Sequence, residues 1–325
     1  MKRRDFGLGM IAMALAHAAP LYGAEYPTRS VAFVVPYAPG GATDQLARTL
    51  GQHLEEKLRK PFVIENRVGA SSAIGAAFVS NAAPDGYTML MATSTTMAIN
   101  PSVFKKLAYQ PLVDLTPVAL IANSPFVLVV NNDLPVHSVA DLVELAKSKP
   151  GELTFASSGL GSAHHLDMQL LASMTGIKLV HVVYKGTVPA LNDVLGGHVQ
   201  MMFSDMSAAL PLIRAGKLRA LGVSTSKRVA AASDLPTLSE SGVPDYDAAA
   251  WQMVVMPAKT PEEILDVVHH SLKEFQTTDA FKQTVLQRGM DPLVTPSRAE
   301  LKQFVEHEIS RWRNVVQESG VAGLP

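Results

Sequence analysis

Val31-Ala-Phe-Val-Val35 runs straight into Pro36-Tyr37-Ala38-Pro39-Gly40-Gly41-Ala42-Thr43-Asp44, and the reading of the fold turns on this junction. The first five apolar residues read as a buried strand, and Leu46, Leu50, Leu54 and Leu58 mark one face of a following helix. The prolines and paired glycines between them form a strand-to-helix turn at the carboxyl end of the strand, where open α/β sheets bind ligands. Glycine allows close backbone approach. The unpaired N–H groups of a helix N-terminus, backed by the helix dipole, favour an anion. The same residues also read as a plain turn capped by Thr43 or Asp44.

Working outward, the pattern recurs. Ser157-Ser158-Gly159-Leu160-Gly161-Ser162 joins a strand at 153–156 to a helix carrying Leu166, Leu170 and Met174. Tyr184-Lys185-Gly186-Thr187 opens a helix around Leu191 and Val194, and Thr93-Ser94-Thr95-Thr96 follows a strand at 87–91. Further strands are expected at 62–64, 125–130, 179–183, 200–203 and 218–223. Ile74, Ala77 and Phe78 should form a helix face, and Ser138-Val-Ala-Asp141 a capping box. Strands alternating with helices over this length indicate an α/β fold of parallel, doubly wound sheets. Thr260-Pro261-Glu262-Glu263 and Ser297-Arg298-Ala299-Glu300 start helices, so the chain should end in a helical segment from about 261 to 319. Anion-ready loops in both halves of the chain point to a cleft between two lobes.

Composition narrows the classes. The 325 residues are 47% hydrophobic and 18% charged, with a net charge of −1 and no cysteine. That apolar fraction excludes intrinsic disorder, and the neutral balance argues against nucleic acid, whose phosphates need a basic surface. Without cysteine there is no disulfide, thiolate metal site, cysteine nucleophile or lipidated amino-terminal cysteine. Lys2, Arg3 and Arg4 precede an apolar stretch from Phe6 to Ala16, which reads as a secretory signal cleaved between about residues 18 and 24. Arg3-Arg4-Asp5-Phe6 also resembles a twin-arginine signature. No later run of 18 apolar residues offers a membrane span. The mature chain is therefore expected to be a soluble periplasmic protein.

Catalytic and cofactor motifs are weak. There is no G-x-S-x-G elbow and no G-x-x-x-x-G-K-[ST] loop. His307-Glu308-Ile309-Ser310-Arg311 has arginine where a zinc-protease helix needs its second histidine. Gly159-x-Gly161-x-x-His164 lacks the last glycine of a dinucleotide fingerprint. The adjacent pairs His164-His165 and His269-His270 do not turn both rings to one metal on a helix. Met201-Met202 read as core filling. No cofactor and no metal are expected. Asp44 and Asp205 could pair as acid and base only if the fold joins them, and Lys185 could meet a ligand carboxylate or simply face solvent.

Taken together, Tyr26-Pro27, Pro36-x-x-Pro39-Gly40-Gly41-x-x-Asp44, Asn66-Arg67-x-Gly69-Ala70, Pro84-Asp85-Gly86-Tyr87-Thr88, Gly159-x-Gly161-Ser162, Tyr184-Lys185-Gly186, Leu195-Gly196-Gly197 and Gly216-Lys217-Leu218-Arg219-Ala220-Leu221 form an ordered series. It resembles that of the Bug receptors, the extracytoplasmic solute-binding proteins of tripartite tricarboxylate transporters. The resemblance implies a two-lobed periplasmic-binding-protein fold that closes on its ligand like a flytrap. One lobe would hold 25–123 and 250–325, the other 124–249, with the hinge near 122–125 and 248–252. It implies a monomer that captures a small carboxylate and delivers it to a membrane permease. The contacts it implies are Ala38, Gly40, Gly41, Asp44 and Ser94 or its neighbours in the first lobe. In the second they are Ser158, Gly161, Ser162, Tyr184, Lys185, Gly186 and Asp205. Two positions depart from the family pattern. Ser71-Ser72 stand where glycines usually follow Gly69-Ala70, and Met253 stands where glycine usually follows Trp251-Gln252.

Two alternatives differ in class. An exported α/β hydrolase using Asp44 or Asp205 would need a base–nucleophile constellation, which spacing does not reveal. A ligand-presenting receptor for a sensor protein would use the same closure as a transport receptor.

Overall fold

A computed structural model describes residues 26–318 and 321–323. The expected export signal at 1–24 lies outside the described residues. The strands are β1 (Val31–Val35), β2 (Phe62–Asn66), β3 (Thr88–Thr93), β4 (Leu115–Val130), β5 (Thr154–Ser157), β6 (Val180–Val183), β7 (Met201–Asp205), β8 (Arg219–Val223), β9 (Ala249–Pro257) and β10 (Asp291–Pro292). The helices are α1 (Ala42–Leu58), α2 (Ala73–Ser80), α3 (Asn100–Val103), α4 (Pro111–Asp114), α5 (Val139–Ser148), α6 (Ala163–Thr175), α7 (Thr187–Leu195), α8 (Met206–Arg214), α9 (Glu262–Thr277), α10 (Asp279–Gln287) and α11 (Arg298–Glu318). A π-helical turn, Thr95–Ile99, precedes α3.

Strand alternation explains why helices cover both faces. Phe33 and Val35 of β1 pack with Leu46, Leu50 and Leu54 of α1, while Val34 joins the core that holds Ala76 and Val79 of α2. β1 pairs in parallel with β2 and β3, and β5 pairs in parallel with β6 and β7. The two parallel sets meet through antiparallel strands, in the order β2-β1-β3-β9-β4-β7-β5-β6. The expectation of parallel sheets thus holds at both ends, and the centre is antiparallel.

β4 makes that join. Its 16 residues pair first with β9 and β10, then with β7 and β8. Only its last six residues, 125–130, are legible as strand, because Pro117 interrupts the apolar run before them. Strands tolerate proline at irregularities, and the β4–β9 register shifts between Pro117 and Ala119 and again between Leu120 and Ala122. Ala122, Asn123, Ser124 and Pro125 lie opposite Gln252, Trp251, Ala250 and Ala249. Trp251 and Met253 pack in one core and do not line the cleft, whereas Gln252 and Ala250 do line it. Met253 therefore packs behind the strand and does not reshape the cleft. On that rear side Trp251 Nε1 donates to Glu308 at 2.7 Å and Trp312 Nε1 donates to the same oxygen at 3.2 Å, tying α11 across the strand.

One expected helix face is wrong. In α2 the buried residues are Gly75, Ala76 and Val79, while Ile74 and Phe78 are exposed. Phe78 lies under the Arg67 guanidinium, 3.6 Å from ring centroid to Cζ, and Ile74 lines an outer recess of the cleft. The tail also departs from continuous helix, since β10 returns to pair with β4 between α10 and α11.

Candidate functional site

The cleft encloses about 510 Å³ of atom-free space, part of it open to solvent. Four helix N-termini reach it: Gly41, Ala42 and Thr43 at α1, Ala163 and His164 at α6, Thr187 and Val188 at α7, and Asp205 before α8. The residues preceding α1, α7 and α8 make no side-chain cap to their own helix. First-turn N–H groups therefore remain for an outside acceptor, with the helix dipoles adding positive potential. Hydroxyls of Thr93 and Thr95 supply further donors, and Phe126, Ala250 and Gln252 complete the lining. Among the described residues no lysine or arginine lines this space.

The first wall is built around Asp44. Its carboxylate accepts from Gly40 N at 3.0 Å, Asn66 Nδ2 at 2.9 Å and Arg48 Nε at 3.0 Å. Burial alone would raise its pKa, but the bonds from Arg48, Gly40 and Asn66 outweigh that and hold it below the usual carboxylate range. Gly40, at φ +87°, supplies the left-handed residue that lets the loop fold back on this carboxylate. Tyr37 shares a 2.9 Å hydrogen bond with Thr93, and burial raises its phenol pKa.

The second wall is built on imidazoles. Ser158 Oγ and His164 Nδ1 hydrogen-bond at 2.7 Å. His164 Nε2 lies 3.3 Å from Asp205 Oδ2, within ion-pair distance but not aligned for a hydrogen bond. Thr187 Oγ1 donates to Asp205 at 2.6 Å. Burial pushes Asp205 up, while the facing His164 and the Thr187 hydroxyl pull it down, and the net is below the usual range. Beneath the loop, His165 Nδ1 accepts from Gly161 N at 3.0 Å, and the His165 and His181 rings stack 3.8 Å apart. Burial, with His181 alongside, pushes His165 down to about 3, and burial pushes His181 down to about 4. Both rings are therefore neutral at neutral pH.

The walls touch. Ser71 Oγ donates to the Leu160 carbonyl across the cleft, and Ala163 N donates to Thr95 Oγ1 at 3.2 Å. Ala70, Ser71 and Ser72 all have positive φ, at 44°, 47° and 75°. Three consecutive left-handed residues without glycine are strained. The hydroxyls that replace glycine are used: Ser71 reaches Leu160, and Ser72 Oγ accepts from Thr96 at 2.9 Å.

Of the residues expected from sequence, Ala38, Gly41, Ser158 and Asp205 line the cleft. A Cβ on Gly186 would come 3.2 Å from that of Ala38, so Gly186 permits close approach of the walls. Tyr184 and Lys185 lie in the outer recess, where the Tyr184 hydroxyl donates to Asp193 at 2.6 Å. Gly40 and Asp44 shape their loop from behind. Ser94 is fully buried, and its neighbours Thr93 and Thr95 face the cleft instead. Gly161 makes room for Val103, which a Cβ would meet at 2.5 Å, and Ser162 caps α6 by accepting from His165 N. Neither lines the cleft. Thr43, Thr187 and His164 were within motifs the sequence singled out, so their position was available. Phe126 and Gln252 stood in segments read only as strand and as hinge. Among the described residues no cluster of three or more histidine or acidic side chains is placed to hold a metal.

Known proteins share this architecture. The model of the tripartite tricarboxylate transporter family receptor matches residues 46–321. Protein BugT of Bordetella pertussis is 36% identical over 315 residues, covering 96% of each chain. A structure of an R. palustris protein with adipate is 40% identical, with a TM-score of 0.89, and covers 92% of this chain and 100% of its own. MatC from Rhodopseudomonas palustris with bound malate is 32% identical, with a TM-score of 0.84, covering 90% and 100%. With the match spanning most of the chain, this protein belongs to the tripartite tricarboxylate transporter receptor family of periplasmic solute-binding proteins.

Proposed function

We propose that this receptor captures a small organic acid between two lobes and delivers it to the membrane permease of a tripartite transporter. The observation that carries the reading is the convergence of four helix N-termini, three without side-chain caps, on a cleft that no described lysine or arginine lines. Backbone N–H groups, hydroxyls and helix dipoles can hold a carboxylate there without a formal cation. The relatives solved with adipate and with malate support this choice of ligand class.

The lobes would be 25–123 with 250–325, and 124–249, bending where 122–125 and 249–252 lie side by side. Ala38, Gly41, Ser158, Gly186 and Asp205 would touch or shape the ligand, with Gly40, Asp44, Gly161 and Ser162 holding their loops. Closure would be favoured by contacts made only when both walls meet the ligand. Among the described residues no helix is long and apolar enough to cross a membrane. Export would remove the first 18 to 24 residues and leave a diffusible monomer. N-terminal sequencing of the periplasmic protein and its elution volume test these two points.

Thermal shift with a panel of dicarboxylates, tricarboxylates and aromatic acids tests the ligand class. A ligand at 100 times its Kd should add about 2.7 kcal/mol of stability. Absence of any shift at millimolar acid would overturn the carboxylate assignment.

A second reading, hydrolysis, has one observation in its favour. Ser158, His164 and Asp205 stand in the order nucleophile, base and carboxylate. The receptor reading is preferred because Asp205 is not aligned to orient His164 and is already held by Thr187. Ester turnover by the purified protein that disappears in Ser158→Ala would reverse the preference.

A further inference from the structure

The cleft suits an anion, yet it already holds one. Among the described residues Asp205 is the only acidic side chain lining it, and His164 the only basic one. Asp205 is held below the usual carboxylate range and so is ionised at neutral pH. A ligand carboxylate therefore meets a like charge in a partly enclosed space, where repulsion is screened less than in bulk water. His164 is placed to answer it. The residue is buried, and Phe126 packs on its ring with centroids 4.5 Å apart. Its Nε2 lies 3.3 Å from Asp205 Oδ2 and has no hydrogen-bond partner among the described residues. His164 stands in the first turn of α6, where the helix dipole opposes an imidazolium until an anion arrives. The other groups facing the pair are hydroxyls: Ser158 at His164 Nδ1, Thr187 at Asp205 Oδ2, and the Tyr37 phenol, whose pKa burial raises.

We propose that His164 takes up a proton when a carboxylate binds, so that capture of the anion is proton-linked. This deepens the carboxylate reading and rests on it. The proton comes from solvent and forms one N–H bond on the ring; no other bond changes. Imidazole suits the task because its ordinary titration falls between pH 5 and 8. With both ring nitrogens protonated, Nδ1–H donates to Ser158 Oγ, which leaves the serine O–H to donate to the ligand. Nε2–H faces Asp205 and offsets its charge. The ligand then enters a cleft whose lining side chains sum to zero charge.

Calorimetry of adipate, malate and benzoate on the purified protein, repeated in buffers of different ionisation enthalpy, counts the protons taken up. Between pH 6.5 and 8 these acids are ionised, and His165 and His181, pushed down to about 3 and about 4, are neutral. Neither source contributes in that window. The parent should take up about 0.3 to 0.7 proton per ligand at pH 7, and affinity should rise roughly threefold to tenfold from pH 8 to 6.5. His164→Gln can still hydrogen-bond Ser158 but cannot ionise, so it should abolish the uptake and flatten the pH profile. Asp205→Asn still accepts from Thr187 without the charge, so it should bind a few-fold more tightly than the parent at pH 8. Binding without proton uptake by the parent would overturn the inference and leave the carboxylate reading standing. Uptake that persists in His164→Gln would overturn the role of His164. Weaker binding by Asp205→Asn at pH 8 would overturn the argument from repulsion. Failure of all three acids to bind at millimolar concentration would overturn both readings.

Discussion

In the loop before α1, a buried carboxylate gathers backbone and side-chain donors: Asp44 accepts from Gly40, Asn66 and Arg48. In the loop facing it, before α6, imidazoles do the organising: His164 bonds Ser158, and His165 accepts from Gly161 while stacked on His181. Both devices hold a glycine-containing turn against a helix N-terminus. They differ in how they respond to protons, because a carboxylate organiser works when charged and the stacked His165 and His181 rings are held neutral. The first loop also leaves α1 uncapped, whereas Ser162 caps α6. The loop before α1 should therefore carry more of the anion's backbone hydrogen bonds than the loop before α6.

The largest expected effect breaks that asymmetry directly. Gly41 has φ −73°, and a Cβ there meets only Ala38 O at 3.8 Å, so a side chain is sterically admissible and points to the cleft. Gly41→Phe should lose ligand affinity by at least a thousandfold in calorimetry, with the melting temperature unchanged. Retained affinity would remove α1 from the site.

Asp44→Ala comes next. It strands the donors of Gly40 and Asn66 and should destabilise the fold by about 2–3 kcal/mol in urea unfolding. Because the folded pKa of Asp44 is lowered, its stabilisation is present above the unfolded value and lost only in strong acid, as pH falls through the folded one. Between pH 5 and 7.5 this loop should be insensitive to pH.

The opposite wall should respond in that window. A histidine held below its ordinary value near 6.5 lets the unfolded chain bind more protons. Its contribution is complete above about pH 6.5 and falls towards the folded values of about 4 for His181 and 3 for His165. His181→Gln should therefore spare roughly 1–2 kcal/mol of the stability that the parent loses between pH 7.5 and 5, measured by denaturant unfolding at both. An unchanged pH slope would mean that the stacked rings do not set the second wall's proton response.

The smallest effect concerns the contact between the walls. Ser71→Gly removes the hydrogen bond to Leu160 and also relieves a left-handed residue at φ 47°. The two changes oppose each other, so stability should move by less than about 1 kcal/mol. Ligand affinity should still fall a few-fold as the unliganded protein opens, visible as a larger radius of gyration by X-ray scattering. A compact, unopened variant would show that Ser71 does not favour closure.

Much of the fold was legible because its signals are local. Val31–Val35, the leucines of α1 and the Ser138 cap, where Ser138 Oγ accepts from Asp141 N at 3.1 Å, each follow from a few neighbouring residues. The face of α2 was misread because periodicity records that Ile74 and Phe78 are apolar, not that one lines a recess and the other lies under Arg67. The length of β4 was hidden because Pro117 breaks the strand pattern and is accommodated beside a shift in the β9 register. In the site, Thr187 and Thr43 stood inside recognisable turns, while Phe126 reaches the cleft through the β4–β7 pairing, opposite Asp205, and Gln252 through the β4–β9 pairing.

By itself the sequence determined where strand-to-helix turns rich in glycine and hydroxyl residues would fall, because such residues and helix starts act within one turn of chain. Tertiary structure alone decided that four of those turns would face one cleft. It also set His164 between Ser158 and Asp205, and it left Ile74 and Val183 uncovered on opposite sides of the mouth. These arrangements depend on contacts between residues far apart in the chain. Such contacts are set by strand register and by which helix faces find a partner, and neither is written in any short stretch of sequence.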